Sequence, residues 1–149
     1  MNSNLYLGID IGTYESKGVL TNINGEIIAQ SSKKHQLIVP QDGYAEHNPI
    51  SDWWNDFIFI TKELIKNSKC NPSDIKAVTV SAIGPCMLPV DMNGNPLMNA
   101  VLYGVDTRAA EEISELNKLY GEKSILEFSG NPLTSQSVVP KILWLKKNK

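Results

Sequence analysis

The chain has 149 residues, 42% hydrophobic and 20% charged, and 14 basic against 16 acidic side chains leave a formal net charge of −2. That length is most simply one globular domain, able to bury about 70% of the surface its unfolded form exposes. The near balance of charge removes the electrostatic case for nucleic acid or an anionic membrane as partner. No apolar run approaches the ~18 residues of a membrane-spanning helix.

The opening MNSNLYLGID has neither the basic stretch nor the apolar core of a secretory leader. Cys70 and Cys86 stand sixteen residues apart, with no CxxC pair and no histidine at ligand spacing. Two free thiols in a reducing compartment, and hence a cytoplasmic protein, are the expectation. The terminal lysines (Lys146, Lys147, Lys149) read as a solvated helix end.

Leu5–Ile11 reads as a nearly continuous apolar strand, and residues 17–23 as a second that runs into Asn24-Gly25, a strong hairpin signal. Residues 26–34 make a third strand, so the chain begins with a three-strand antiparallel meander and a tight turn at 12–16. Ile50, Trp53, Trp54, Phe57, Ile58, Thr61, Leu64 and Ile65 then share one face of an amphipathic helix. Asn48 suits its N-cap and Pro49 its first turn. Ile75–Ala82 is a fourth strand, which makes a strand-helix-strand unit. Residues 88–97, with Asn93-Gly94, read as a small hairpin. A helix carrying Ala109, Ile113, Leu116 and Tyr120 is capped by Asp106 or Thr107 and stopped at Gly121. SGNP (129–132) breaks the chain before a last helix over 139–148, whose first turn tolerates Pro140. The pattern is α/β with a mixed sheet.

One residue breaks the apolar pattern. Asp10 lies between Ile9 and Ile11, and an unpartnered buried carboxylate costs several kcal/mol. A Mg²⁺ ion is a suitable partner, because it is commonly held by one or two carboxylates together with phosphate oxygens and water. Gly12-Thr13 follows at the turn, where glycine lets backbone approach a ligand and successive N–H groups can nest an anion. The Thr13 hydroxyl adds a hydrogen bond, and Lys17 can reach the same anion as a point charge. The plainer reading is a turn that happens to hold Asp and Gly, and the burial of Asp10 argues against it. No GxxxxGK[ST] loop occurs.

GIDIGTYESKGVL with its meander resembles the first phosphate motif of the actin-like ATPase superfamily. GYAEHNPISDWW (43–54), MNGNPLMNAVLYGVDTRA (92–109) and KILWLKKN (141–148) narrow the resemblance to the N-terminal half of FGGY-type carbohydrate kinases, the group containing xylulokinase and glycerol kinase. It runs in order from residue 5 to the end. The resemblance implies a ribonuclease-H-like domain with a five-stranded mixed sheet and packed helices. It also implies a partner C-terminal domain that this chain lacks, with ATP and Mg²⁺ clamped between the two. On it, Asp10 holds the metal through water, and Gly12, Thr13 and Lys17 face the β- and γ-phosphates. Transfer of the γ-phosphoryl to a sugar or polyol hydroxyl then depends on positioning and charge neutralisation. The aspartate that deprotonates the hydroxyl belongs to the second domain, so no catalytic base is expected here and the chain alone is expected to be inactive.

Two stretches depart from the family pattern. Tyr14 and Glu15 replace small hydroxyl residues in the phosphate loop, which sets a carboxylate beside the expected triphosphate. After the fourth strand, Ile83, Gly84 and Pro85 stand where xylulokinases carry Gln-Met-His and glycerol kinases an Arg-Glu pair, so neither substrate is assigned. Gly84 and Pro85 remain substrate-side candidates by position. Asp106 and Arg108 match the family's D-x-R near the sugar; equally, they read as a helix cap with an exposed first-turn arginine. Trp53 and Trp54 read as core, Trp144 as core or interface, and Glu46 and His47 as surface or cap residues. His35 has no partner visible in sequence. A standalone actin-like nucleotide-binding or regulatory module is the competing function. A ribonuclease-H-like nuclease is disfavoured by the acidic balance. The face awaiting the second domain is expected to be partly apolar and to favour a homo-oligomer.

Overall fold

Strands β1 (Leu5–Ile11), β2 (Glu15–Asn22) and β3 (Ile27–Lys34) form the expected antiparallel meander. They belong to a computed structural model that describes residues 4–149; the first three residues of the stretch read for a leader lie outside it. The second hairpin is wider than a two-residue turn. Asn22 accepts the backbone N–H groups of Asn24 and Glu26 on its side-chain oxygen, at 2.9 and 3.1 Å, and so closes the loop around Asn24-Gly25. The turn before β2 is tighter than predicted, since Glu15 already pairs across to Lys34.

The chain divides into two compact units. The first runs to Gln36 and resumes over Pro49–Ile83. In it, β5 (Ile75–Ala82) joins β1 in parallel, giving the order β3-β2-β1-β5. Among the described residues the sheet therefore has four strands rather than the five expected. β4 (Glu46–His47) and β6 (Ala100–Val101) pair with each other in a separate two-stranded ribbon.

A single helix covers one face of this sheet. Winding starts at Pro49, immediately after Asn48, but its first six residues (Pro49–Trp54) form a π-helix before α1 (Asn55–Ser68) continues. Hydrogen bonds reach one residue further in a π-turn, so a strict 3.6-residue period misplaces the stripe. Asp56, Ile60 and Leu64 face the core, whereas Ile50 and Trp54 are exposed. Trp53 packs on the core; Trp54 instead stacks on Phe57 with rings 5.6 Å apart. Leu5, Leu7, Ile9, Ile11, Leu20, Ile60 and Leu64 make the core cluster. Gly18 allows the close approach of α1: a Cβ there would lie 2.3 Å from Cγ2 of Ile60.

The second unit comprises Leu37–Asn48 and Gly84–Lys149. Ala45, Met87, Ala100, Val101, Leu102, Ala109 and Trp144 are buried in it. The predicted hairpin at 88–97 is present as an isolated Val90–Pro96 bridge, with Asp91 accepting the N–H groups of Asn93 and Asn95. Helix α2 (Ala110–Tyr120) stops at Gly121 as expected. An unpredicted helix α3 (Glu122–Ser129) follows at once. Helix α4 (Val138–Asn148) places Lys147 against Glu112 and Glu115 of α2, so this lysine is paired rather than merely solvated.

Candidate functional site

In the first unit, β1 alternates: Leu5, Leu7, Ile9 and Ile11 are buried, while Tyr6, Gly8 and Asp10 line the other face. Asp10 is exposed, which corrects the premise that it is buried. The apolar run suggested two covered faces, but α1 covers one, and on the other a carboxylate stays solvated at little cost. What distinguishes Asp10 is its company. It pairs with Lys17 across β2 and with Ser81 across β5, and these three, with Gly8, Thr79 and neighbouring backbone, line an open hollow of about 320 Å³.

Gly12 has a steric role of its own. Its N–H donates to the Glu15 carbonyl at 3.1 Å, and a Cβ on Gly12 would meet that oxygen at 2.7 Å. The turn therefore demands glycine whether or not a ligand is bound, and this amide is already engaged. Thr13 is half-buried at the tip and Tyr14 is exposed. Glu15 accepts from the Ser32 hydroxyl at 2.8 Å and lies 3.8 Å from the Lys17 ammonium. The departing glutamate is thus tethered beside the lysine.

Among the described residues no group of three or more His, Cys, Asp or Glu side chains could cage a metal. One exposed carboxylate beside hydroxyls does suit Mg²⁺ that arrives with phosphate oxygens and water as its remaining ligands.

In the second unit, Asp106 and Arg108 come together with Glu46, and all three side chains are largely withdrawn from water. Arg108 is 1% exposed, Asp106 0% and Glu46 11% in their side chains. Arg108 donates from Nε to both Asp106 oxygens at 2.9 and 3.0 Å, and from Nη2 to Asp106 and Glu46 at 2.8 Å each. Asp106 also accepts the Ala45 N–H at 2.7 Å, and Glu46 accepts from Asn99 at 3.0 Å. The guanidinium lies 4.0 Å from the Tyr44 ring centre and 4.9 Å from that of Trp144. Burial pulls the Arg108 pKa down, but the two carboxylates outweigh it and hold the group above its ordinary value. Arg108 is therefore not an exposed first-turn residue. Nor does Asp106 or Thr107 supply a side-chain cap, since α2 begins later, at Ala110. Glu46 and His47 are buried strand residues rather than surface ones, and Trp144 is buried edge-on to Tyr44.

Gly84 and Pro85 are exposed directly after β5, joined by a cis peptide. Lys141, buried in α4, donates to the carbonyls of Leu102 and Tyr103. Its burial depresses its pKa, against the opposing charge of Asp106.

Two groupings escaped the sequence reading: the Glu46–Arg108–Asp106 network and an Asp56–His35–Gly12 chain. The signal for the first was available, because Glu46 and Arg108 both fall inside the family-like segments. The second carried none, since His35 lies 21 and 23 residues from its partners Asp56 and Gly12.

The model of the FGGY family of carbohydrate kinases, N-terminal domain, matches residues 5–149. Xylulose kinase of Bacillus subtilis (strain 168) is 32% identical over 142 residues, 95% of this chain and 28% of that protein. Glycerol kinase of Brucella anthropi is 33% identical over 141 residues, 94% of this chain and 28% of that protein. The crystal structure of xylulose kinase from Rhodospirillum rubrum superimposes with a TM-score of 0.87 at 26% identity, covering 97% of this chain and 29% of that one. The chain thus spans less than a third of these relatives. No helix among the described residues is long and apolar enough to cross a membrane.

Proposed function

Because the chain belongs to the FGGY family of carbohydrate kinases, we propose that it is the N-terminal domain of an enzyme that moves the γ-phosphoryl of ATP to a hydroxyl of a sugar or polyol. The observation that carries the reading is the placement of Asp10, Lys17 and Ser81 side by side at the mouth of the β1–β2 turn, in a family of carbohydrate kinases. Mg²⁺ supplies neutralisation of the phosphate charge in such a transfer. Asp10 would hold that ion through water, Thr13 would donate its hydroxyl to a phosphate oxygen, and Lys17 would add a positive charge. Gly12 shapes the turn. The coverage of under a third supports a second domain, carrying the base that takes the proton of the sugar hydroxyl.

Gly84 and Pro85 stand on the substrate side by position. With no polar side chain at either, that segment offers a sugar its backbone groups and an apolar ring. Asp106 and Arg108 serve the sugar side indirectly, by holding the segments around Ala45 and Glu46 in register through their buried network. The test is an ADP-release assay on the full encoded protein against xylulose, glycerol, gluconate and related ketoses and polyols. Sugar-dependent ADP formation, abolished by Asp10→Asn with an unchanged melting curve, is the expected result. Absence of turnover with every acceptor, or full activity of Asp10→Asn, would overturn the reading. Residues 1–149 alone should release no ADP.

A further inference from the structure

His35 has no part in the proposed function, yet its side chain is 4% exposed. It lies just past β3, with Nδ1 2.8 Å from Oδ2 of Asp56 and Nε2 3.1 Å from the carbonyl oxygen of Gly12. Its own backbone N–H donates to the Tyr14 carbonyl at 3.1 Å. Asp56, fully buried on α1, also takes the Lys33 ammonium at 2.8 Å. A carbonyl oxygen can only accept, and so can an ionised carboxylate. The Gly12 carbonyl therefore accepts from Nε2, and the ring, with Nδ1 against the Asp56 carboxylate, bridges α1 and the turn.

The consequence for the turn follows from peptide geometry. In a trans peptide the C=O and the next N–H point in opposite directions. Residue 35 draws the carbonyls of Gly12 and Tyr14 towards itself, one through its ring and one through its backbone. The amides of Thr13 and Glu15 are thereby turned away from it.

We propose that His35, anchored on Asp56, is a positioning residue that orients the Thr13 and Glu15 amides of this turn towards phosphate oxygens. The proposal rests on the kinase reading for the identity of the anion, but the strap itself is independent of it. The decisive variants, in the full encoded protein, are His35→Phe, His35→Gln and Asp56→Asn, with the double variant Asp56→Asn/His35→Phe.

Loss of the bond from the ring to the turn predicts a rise of about tenfold in KM for ATP in His35→Phe. KM for the sugar should stay within about twofold, because a positioning effect confined to the turn touches only one substrate. Glutamine, which keeps one donor, should restore part of the loss, and the double variant should be no worse than His35→Phe alone. Hydrogen exchange supplies a readout separate from activity: in His35→Phe and His35→Gln, faster exchange should be confined to residues 11–16. Should the wild type prove to have no kinase activity, binding of inorganic tripolyphosphate replaces KM and is expected to weaken in the same variants. Unchanged exchange in the turn, an unchanged ATP or tripolyphosphate response, or equal losses for ATP and sugar would each overturn the proposal. If His35→Phe fails to fold, His35→Gln and Asp56→Asn decide by the same measurements.

Discussion

Replacing Arg108 by methionine isolates what the buried network does. Methionine keeps an unbranched apolar stem against Tyr44 and Trp144 but removes the bonds that Nε and Nη2 make to Asp106 and Glu46. Two carboxylates then remain with residue exposures of 0% and 8%, and no cation between them. Removing one partner of a buried ion pair costs about 3–5 kcal/mol, chiefly for the charge left behind. With about 2–4 °C per kcal/mol for a domain of this size, the melting temperature should fall by roughly 6–20 °C.

Thermal unfolding followed by far-UV circular dichroism and by tryptophan fluorescence measures the loss. Adding Glu46→Gln to Arg108→Met should recover part of it, because one stranded charge is removed. Two results would refute the reasoning. One is a loss below about 1 kcal/mol, the level of an exposed ion pair. The other is intact stability with a weakened sugar response in the full protein, which would mean that Arg108 meets substrate directly.

Gly18→Ala should destabilise by about 1–3 kcal/mol in urea titrations, since its Cβ has to displace the side chains of Ile60 and Leu64. Adding Ile60→Ala should make the pair less harmful than the sum of the two changes, and strict additivity would show that the helix does not press on this position. Burial raises the Cys86 thiol pKa, with the Tyr103 backbone and the Lys141 charge opposing only in part. Iodoacetamide labelling of Cys86 read by mass spectrometry should therefore have its pH midpoint above the ordinary thiol value of about 8.5, and a midpoint below it would contradict that burial.

Much of the secondary structure was legible from residue pattern because local rules suffice for it. β1 and β5 fall on their predicted bounds, and Asn24-Gly25 and Gly121 mark real turns and stops. The family could be read from four ordered segments, each weak alone. Packing is where the reading failed. A nearly continuous apolar run cannot say whether one or both faces of a strand are covered, so it implies burial of Asp10 although the residue is exposed. The π-turn at Pro49–Trp54 shifts the phase of the helix that follows it and brings Asp56 onto the buried face.

The deeper division lies in sequence distance. Turns, caps and strand alternation depend on neighbours a few residues apart, and composition and spacing specify them. His35 meets Gly12 and Asp56, 23 and 21 residues away, and Arg108 meets Glu46 at a separation of 62. Charges such as Asp56 and Glu46 look like ordinary surface residues in sequence, because what makes them tolerable when buried is a partner, His35 or Arg108, that only the folded chain brings within 3 Å.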